Sequence, residues 1–166
     1  MNKQKLQKEI EKARAHLTNI EKMLAECKYE RWKPEKHETY YFVNSEGEVY
    51  ETWRSSINFI PDKKRYNYYN CFRTREQAET EAEKILVRRM LEDIVIRLNK
   101  GHEIEWDNEH QFKYGIYLQT RKDTIEWSRT INAKMQGMIY CLDINFYNVA
   151  MQEIGEERLK KYLRGE

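Results

Sequence analysis

Between Lys3 and Cys27 the apolar positions fall at Leu6, Ile10, Ala13, Leu17, Ile20, Leu24 and Cys27, alternately four and three residues apart. That spacing is a two-per-heptad stripe, and Lys, Glu and Arg occupy the remaining faces. It predicts an amphipathic helix whose narrow seam is covered by the same helix of a second copy, or else by the body of its own chain. Arg31-Trp32-Lys33-Pro34 ends the pattern, because the residue before a proline is pushed out of the α region. Beyond it the period changes to that of strands. Thr39-Tyr40-Tyr41-Phe42-Val43 is rich in β-formers, Asn44-Ser45-Glu46-Gly47 is a turn, and Glu48 to Ser55 reads as the return strand of a hairpin. A loop with Pro61-Asp62-Lys63-Lys64 is expected next, then a third strand from Tyr66 to Phe72 with Tyr66, Tyr68 and Phe72 on its core face. Thr74 with Gln77 three residues later predicts a capping box. It opens a long helix that carries Ala78, Ala82, Ile85, Leu86, Met90, Leu91, Ile94 and Leu98 and stops at Lys100-Gly101.

The second half repeats the order. His102 to His110 is a polar connection around Trp106. Phe112, Tyr114, Ile116 and Leu118 then alternate with Lys113, Gly115, Tyr117 and Gln119, as a half-buried strand does. Ile125, Trp127, Arg129 and Ile131 share one face of the next strand, with Trp127 expected in the core, and Met138 to Cys141 supplies a third. Asp143 is expected to cap a helix that buries Ile144, Tyr147, Met151 and Ile154, Gly155 to stop it, and Glu156 to Leu163 to form a last short helix. Glu51-Thr52-Trp53-Arg54-Ser55-Ser56-Ile57-Asn58 resembles Glu126-Trp127-Ser128-Arg129-Thr130-Ile131-Asn132 with a one-residue gap. The fold class expected is therefore α+β: an N-terminal helix over residues 1–30, a β-β-β-α lobe over 31–101 and a related lobe over 102–166, with helices packed on one face of antiparallel sheets.

Composition narrows the possibilities. The chain has 166 residues, enough for one real core or for two small lobes sharing one, and thirty basic against twenty-eight acidic residues leave a net charge of +2. Any basic surface must be local. Cys27, Cys71 and Cys141 are too scattered for a disulfide framework or a zinc site and are read as reduced thiols. No apolar run is long enough for a signal peptide or a membrane span, so a soluble protein without a membrane partner is expected.

Trp32-x-Pro34, Glu38-x-Tyr40-Tyr41-Phe42, Gly47-x-Val49, Asn70-Cys71-Phe72-Arg73-Thr74-x-Glu76-x-Ala78-Glu79 and Ile154-Gly155-Glu156-Glu157-Arg158-Leu159-Lys160-Lys161-Tyr162-Leu163 stand in this order. The set resembles a family of small proteins encoded by phages and prophages of Gram-positive bacteria. Cys141 departs from it, standing where an aromatic commonly precedes the last helix. The resemblance brings no catalytic residues; it implies a role in host takeover or counter-defence, in the cytoplasm of the bacterial host.

The residues themselves offer no catalytic motif: no Gly-rich phosphate loop, no nucleophile elbow, and four scattered histidines, His16, His37, His102 and His110. No enzyme, cofactor or metal is expected; His102, Glu103, Glu105, Asp107, Glu109 and His110 are read as a solvated loop. One stretch is different. Between Trp53 and Arg75 six basic residues stand against Asp62 alone, interleaved with aromatics, which is the composition of a site that stacks bases and holds phosphates. Trp53, Arg54, Arg65, Tyr69 and Arg73 are the expected ligand contacts. Core packing with a solvated loop is the competing reading. Two functions follow: an oligomer built through the N-terminal helix that sequesters a small nucleotide signal, or an inhibitor that blocks a host defence effector such as a CRISPR nuclease by binding the protein or its nucleic acid. The first needs a deep pocket and the second a broad exposed surface.

Overall fold

The computed structural model describes residues 7, 9–14, 16–18, 31–55 and 59–166. The chain divides into two units, Met1–Lys33 and Pro34–Glu166. In the first, residues 9–14 and 16–18 are helical, and Ile10, Ala13 and Leu17 of the heptad stripe are exposed. Leu6, Ile20, Leu24 and Cys27 lie outside the described residues.

The second unit is α+β. Strands β1 (Thr39–Val43) and β2 (Val49–Trp53) form an antiparallel hairpin in which Tyr41 faces Glu51 and Thr39 faces Trp53. Strands β3 (Lys113–Gln119) and β4 (Thr124–Thr130) form a second hairpin, and the two-residue β5 (Tyr140–Cys141) pairs with the far side of β3. Both hairpins have a short third segment against their first strand. In the second sheet it is β5, where Cys141 faces Tyr114; in the first it is a single bridge in which Tyr41 and Phe72 exchange both backbone bonds at 2.9 Å. Asn70 extends that bridge by one rung, its side-chain amide bonding Val43 N (2.8 Å) and Val43 O (2.6 Å) as a neighbouring strand's backbone would.

The expected strand from Tyr66 to Phe72 is not present. Its first part belongs instead to helix α1 (Ile60–Asn67), and Tyr68 and Tyr69 form the turn that follows, Tyr69 in the left-handed region. The reason lies in the residues read as a loop. Pro61 sits in the first helical turn, where its missing N–H costs nothing; Asp62 lies in that turn too, with Lys64 and Arg65 in the last, so the side-chain charges complement the helix dipole. Tyr68, expected in the core, is 78% exposed.

Helix α2 (Arg75–Asn99) begins on the expected capping box: Gln77 N donates to Thr74 Oγ1 (3.2 Å) and Thr74 N donates to Gln77 Oε1 (3.3 Å). It ends as Lys100 enters the left-handed region. One long helix serves both sheets. Towards its start it packs on the Tyr41 and Val43 face of β1; towards its end Val87, Leu91 and Ile94 join Ile116, Ile125, Cys141, Phe146, Ala150, Ile154 and Leu159 in the main core. Helices α3 (Phe146–Glu153) and α4 (Glu156–Arg164) close that core.

Asp143 does not cap α3 as expected. Its carboxylate accepts from Asn145 N (2.8 Å), a tight turn just upstream, and Ile144 is exposed by that turn and not buried on the helix face. Gly155, at φ 90°, makes the corner between α3 and α4 in a conformation that a side chain would strain. Gly115 has a different cause: a Cβ there would lie 2.2 Å from Met138 Sδ, so the Met138 side chain rests over β3 at this position and would have to move to admit one.

Candidate functional site

Helix α1 is held against the Tyr40 and Phe42 face of the first hairpin by a buried polar network. Tyr40, fully buried, donates its hydroxyl to Asp62 Oδ1 (2.7 Å) and accepts from Arg65 Nη1 (2.9 Å). Asp62, buried as well, also accepts from Ser55 N (3.2 Å) and Ser55 Oγ (3.4 Å). The Arg65 guanidinium lies 3.7 Å over the Phe42 ring, and Phe42 stacks on Tyr50 at 5.8 Å. A segment with one carboxylate thus spends it inside, bonded on both oxygens.

Burial pushes the Tyr40 phenol up to about 12; the Asp62 carboxylate adds to this and Arg65 opposes it. With the unfolded value near 10, the neutral phenol contributes stability in full below pH 10, and the contribution is lost as pH rises through 12. We expect alkaline melts to show roughly 2–3 kcal/mol more loss between those limits for the wild type than for Tyr40→Phe. Equal pH dependence of the two proteins would place the titration elsewhere; Tyr117 and Tyr162 are shifted in the same direction, by Glu126 and by burial respectively, and both remain in the variant.

The five residues expected to contact ligand separate into two groups. Arg54 and Arg65 are half-buried and engaged internally, Arg54 through Nη1 to Pro34 O (2.6 Å) and Arg65 through the network above. Trp53, Tyr69 and Arg73 are on the surface, Trp53 63% and Tyr69 75% exposed. The exposed set also includes Phe59, Ile60, Lys63, Lys64 and Tyr68. Tyr68 and the two lysines were visible in the composition of the stretch; only the helical turn reveals that the tyrosine faces out.

Trp53 and Trp127 do not occupy related places. If Tyr41 is matched to Tyr114 through their third-segment partners, Trp53 pairs with Thr39, two residues before, whereas Trp127 pairs with Ile116, two residues after. The same matching sets Cys141 opposite Phe72. Trp127, expected in the core, is 48% exposed.

Elsewhere the chemistry is quiet. The buried Cys141 thiol donates to Asn99 Oδ1 (3.1 Å), and burial raises its pKa, so it is an inert packing group. Among the described residues no group of three or more His, Cys, Asp or Glu side chains is placed to hold a metal ion. His102, Glu103, Glu105, Asp107, Glu109 and His110 are all exposed, as in the solvated loop expected of them, while Trp106 in their middle packs edge-on against Tyr140 at 5.0 Å. A groove of about 370 Å³ lies between the β1–β2 turn and α2, walled by Val49, Ala82 and Leu86, with Arg75 and Arg89 facing Glu46, Glu79 and Glu83. It contains none of the five expected contacts, and its three carboxylates oppose a phosphate. No helix among the described residues is long and apolar enough to cross a membrane.

Comparison of the chain with protein-family models, with curated proteins and with solved structures finds no match.

Proposed function

We propose that this chain is a non-catalytic binding protein of phage counter-defence type that takes single-stranded nucleic acid on the surface of residues 59–73, and so blocks an effector that depends on that strand. The observation that carries this reading is the exposure of Tyr68 and Tyr69 on the same short segment as the exposed Lys63, Lys64 and Arg73, while Asp62, the one carboxylate of that segment, is buried and bonded; Trp53, also exposed, pairs with Thr39 and so lies on the face of the hairpin opposite α1. Exposed rings stack bases, and exposed cations attract phosphate. Sequestration of a small nucleotide signal is supported less, since the groove between the β1–β2 turn and α2 is rimmed by the carboxylates of Glu46, Glu79 and Glu83.

Fluorescence anisotropy with a labelled oligonucleotide tests this. The Lys63→Glu/Lys64→Glu pair should weaken binding at least roughly tenfold and flatten the dependence of log Kd on log salt by about 1.4, roughly 0.7 for each single-strand phosphate that is no longer neutralised. Binding of a cyclic dinucleotide with no binding of the oligonucleotide would reverse the order of the two readings.

We further propose that the N-terminal helix makes the protein a homo-oligomer and that the two hairpin units arose by duplication. Ile10, Ala13 and Leu17 are exposed on their helix, and both sheets set a short third segment against the first strand before a helix begins. Leu17→Glu should reduce the oligomer in light scattering, because a carboxylate at the seam would have to be desolvated without a partner. A wild-type protein that is monomeric at the same concentration would overturn this.

A further inference from the structure

The outer end of the second sheet carries a set of residues that the segment 59–73 does not account for. Strand pairing places Tyr114 beside Arg129, Ile116 beside Trp127 and Leu118 beside Ile125, so these side chains share one face with Phe112. At the turn end that face is core: Ile116 and Ile125 are buried under the helices and Leu118 packs beside them. At the other end it comes out from under them. Phe112 is 41% exposed, Trp127 and Arg129 are exposed, and Tyr114 is half-buried.

The four side chains are arranged on one another. The rings of Tyr114 and Trp127 are 6.1 Å apart and tilted by 50°, and the Arg129 guanidinium lies 4.5 Å over Phe112. Arg129 is the only charged group on this face of the two strands; Glu126 points to the opposite face, where it accepts from Tyr117 Oη (2.8 Å), and Lys113 is buried on that opposite face too. Among the described residues Arg129 has no carboxylate partner. A flat, aromatic face with one guanidinium and no acid complements a flat ring that carries a negative charge beside it. A protein partner would meet an apolar patch with a single cation at its edge; a nucleotide chain supplies a base for the rings and a phosphate for the fork of Arg129.

We propose that this face is a second stacking platform for an unpaired base, with Trp127 holding the base and Arg129, resting on the Phe112 ring, the phosphate beside it. The inference rests on the nucleic-acid reading given above and assigns that ligand to a second, separate surface. Two platforms on one chain would raise the affinity of a strand long enough to reach both over that of a short one, because the second contact is made at high effective concentration.

The test uses the full chain and an oligouridine carrying 5-iodouracil, with crosslinked residues located by mass spectrometry and affinity read by anisotropy. Adducts are expected at Trp127 as well as within 59–73. Trp127→Ala should weaken binding roughly 5-fold to 100-fold, Trp127→Phe should restore most of it, and Arg129→Gln should weaken it with an unchanged melting temperature. The recovery with Phe separates stacking from loss of fold. If the oligouridine binds with adducts confined to 59–73 and the Trp127 and Arg129 variants bind as the wild type does, the second platform is overturned and the first stands. No binding by the wild type overturns both. Loss of an oligomer in the Trp127→Ala protein, with oligouridine binding intact, would assign the face to a second copy and also overturn the proposal.

Discussion

Asp62→Ala is expected to destabilise the protein by about 3 kcal/mol, a large share of the 5–15 kcal/mol that holds a domain of this kind together. The carboxylate is 6% exposed and accepts from Tyr40 Oη, Ser55 N and Ser55 Oγ, with Arg65 Nη1 a further 3.7 Å away. Removing it leaves a buried hydroxyl and a backbone N–H without their acceptor, and leaves the Arg65 charge without its nearest anion. Asp62→Asn keeps an acceptor in place and should cost less, separating the charge from the shape. Urea unfolding reads the effect as a shifted midpoint at unchanged slope. A loss under about 1 kcal/mol would mean that the network is solvated and contributes like a surface pair. Because α1 presents Lys63 and Lys64, the Ala variant should also bind oligonucleotide more weakly.

Lys113→Met is the second large effect, and here two influences oppose each other. Lys113 is completely buried, its ammonium donating to Ile131 O (2.7 Å) and Asn108 O (3.2 Å) and lying 5.6 Å from the Trp106 ring centre. Taking an ammonium out of water is costly, and Met of similar length removes that cost. Both acceptors, however, are backbone carbonyls that cannot turn away, and the ammonium is one of the ties between the 102–112 segment and the chain after β4, with Lys134 over the Trp106 ring another. We expect the loss of two charged bonds to outweigh the relief, with a net destabilisation of about 2 kcal/mol, and a larger one for Lys113→Ala, which adds a cavity. Thermal melts decide it. A Met variant as stable as the wild type, or more so, would show that desolvating the ammonium costs at least as much as its hydrogen bonds return.

What the sequence by itself determined were the elements whose signals are local. The capping box of Thr74 and Gln77, the stop at Lys100, the hairpin around Asn44 to Gly47, the presence of strand β3 and the corner at Gly155 each depend on residues a few positions apart, and each is where the pattern places it, although burial along β3 does not alternate as expected. The α+β class follows from them. What only the tertiary structure decided is which partner covers each face. Pro61-Asp62-Lys63-Lys64 carries equal local licence for a loop or a first helical turn, and the choice goes with Asp62 reaching Tyr40, twenty-two positions away in sequence. Tyr68 and Trp127 have the composition of core residues but lie where no helix covers them, and Lys113 sits on the nominally polar face of β3 yet is sealed there by the chain that returns after β4. Alternation tells which side chains share a face of a strand. It carries no information on how far along that face the covering helices extend, and this sets which aromatic rings are left to meet a ligand.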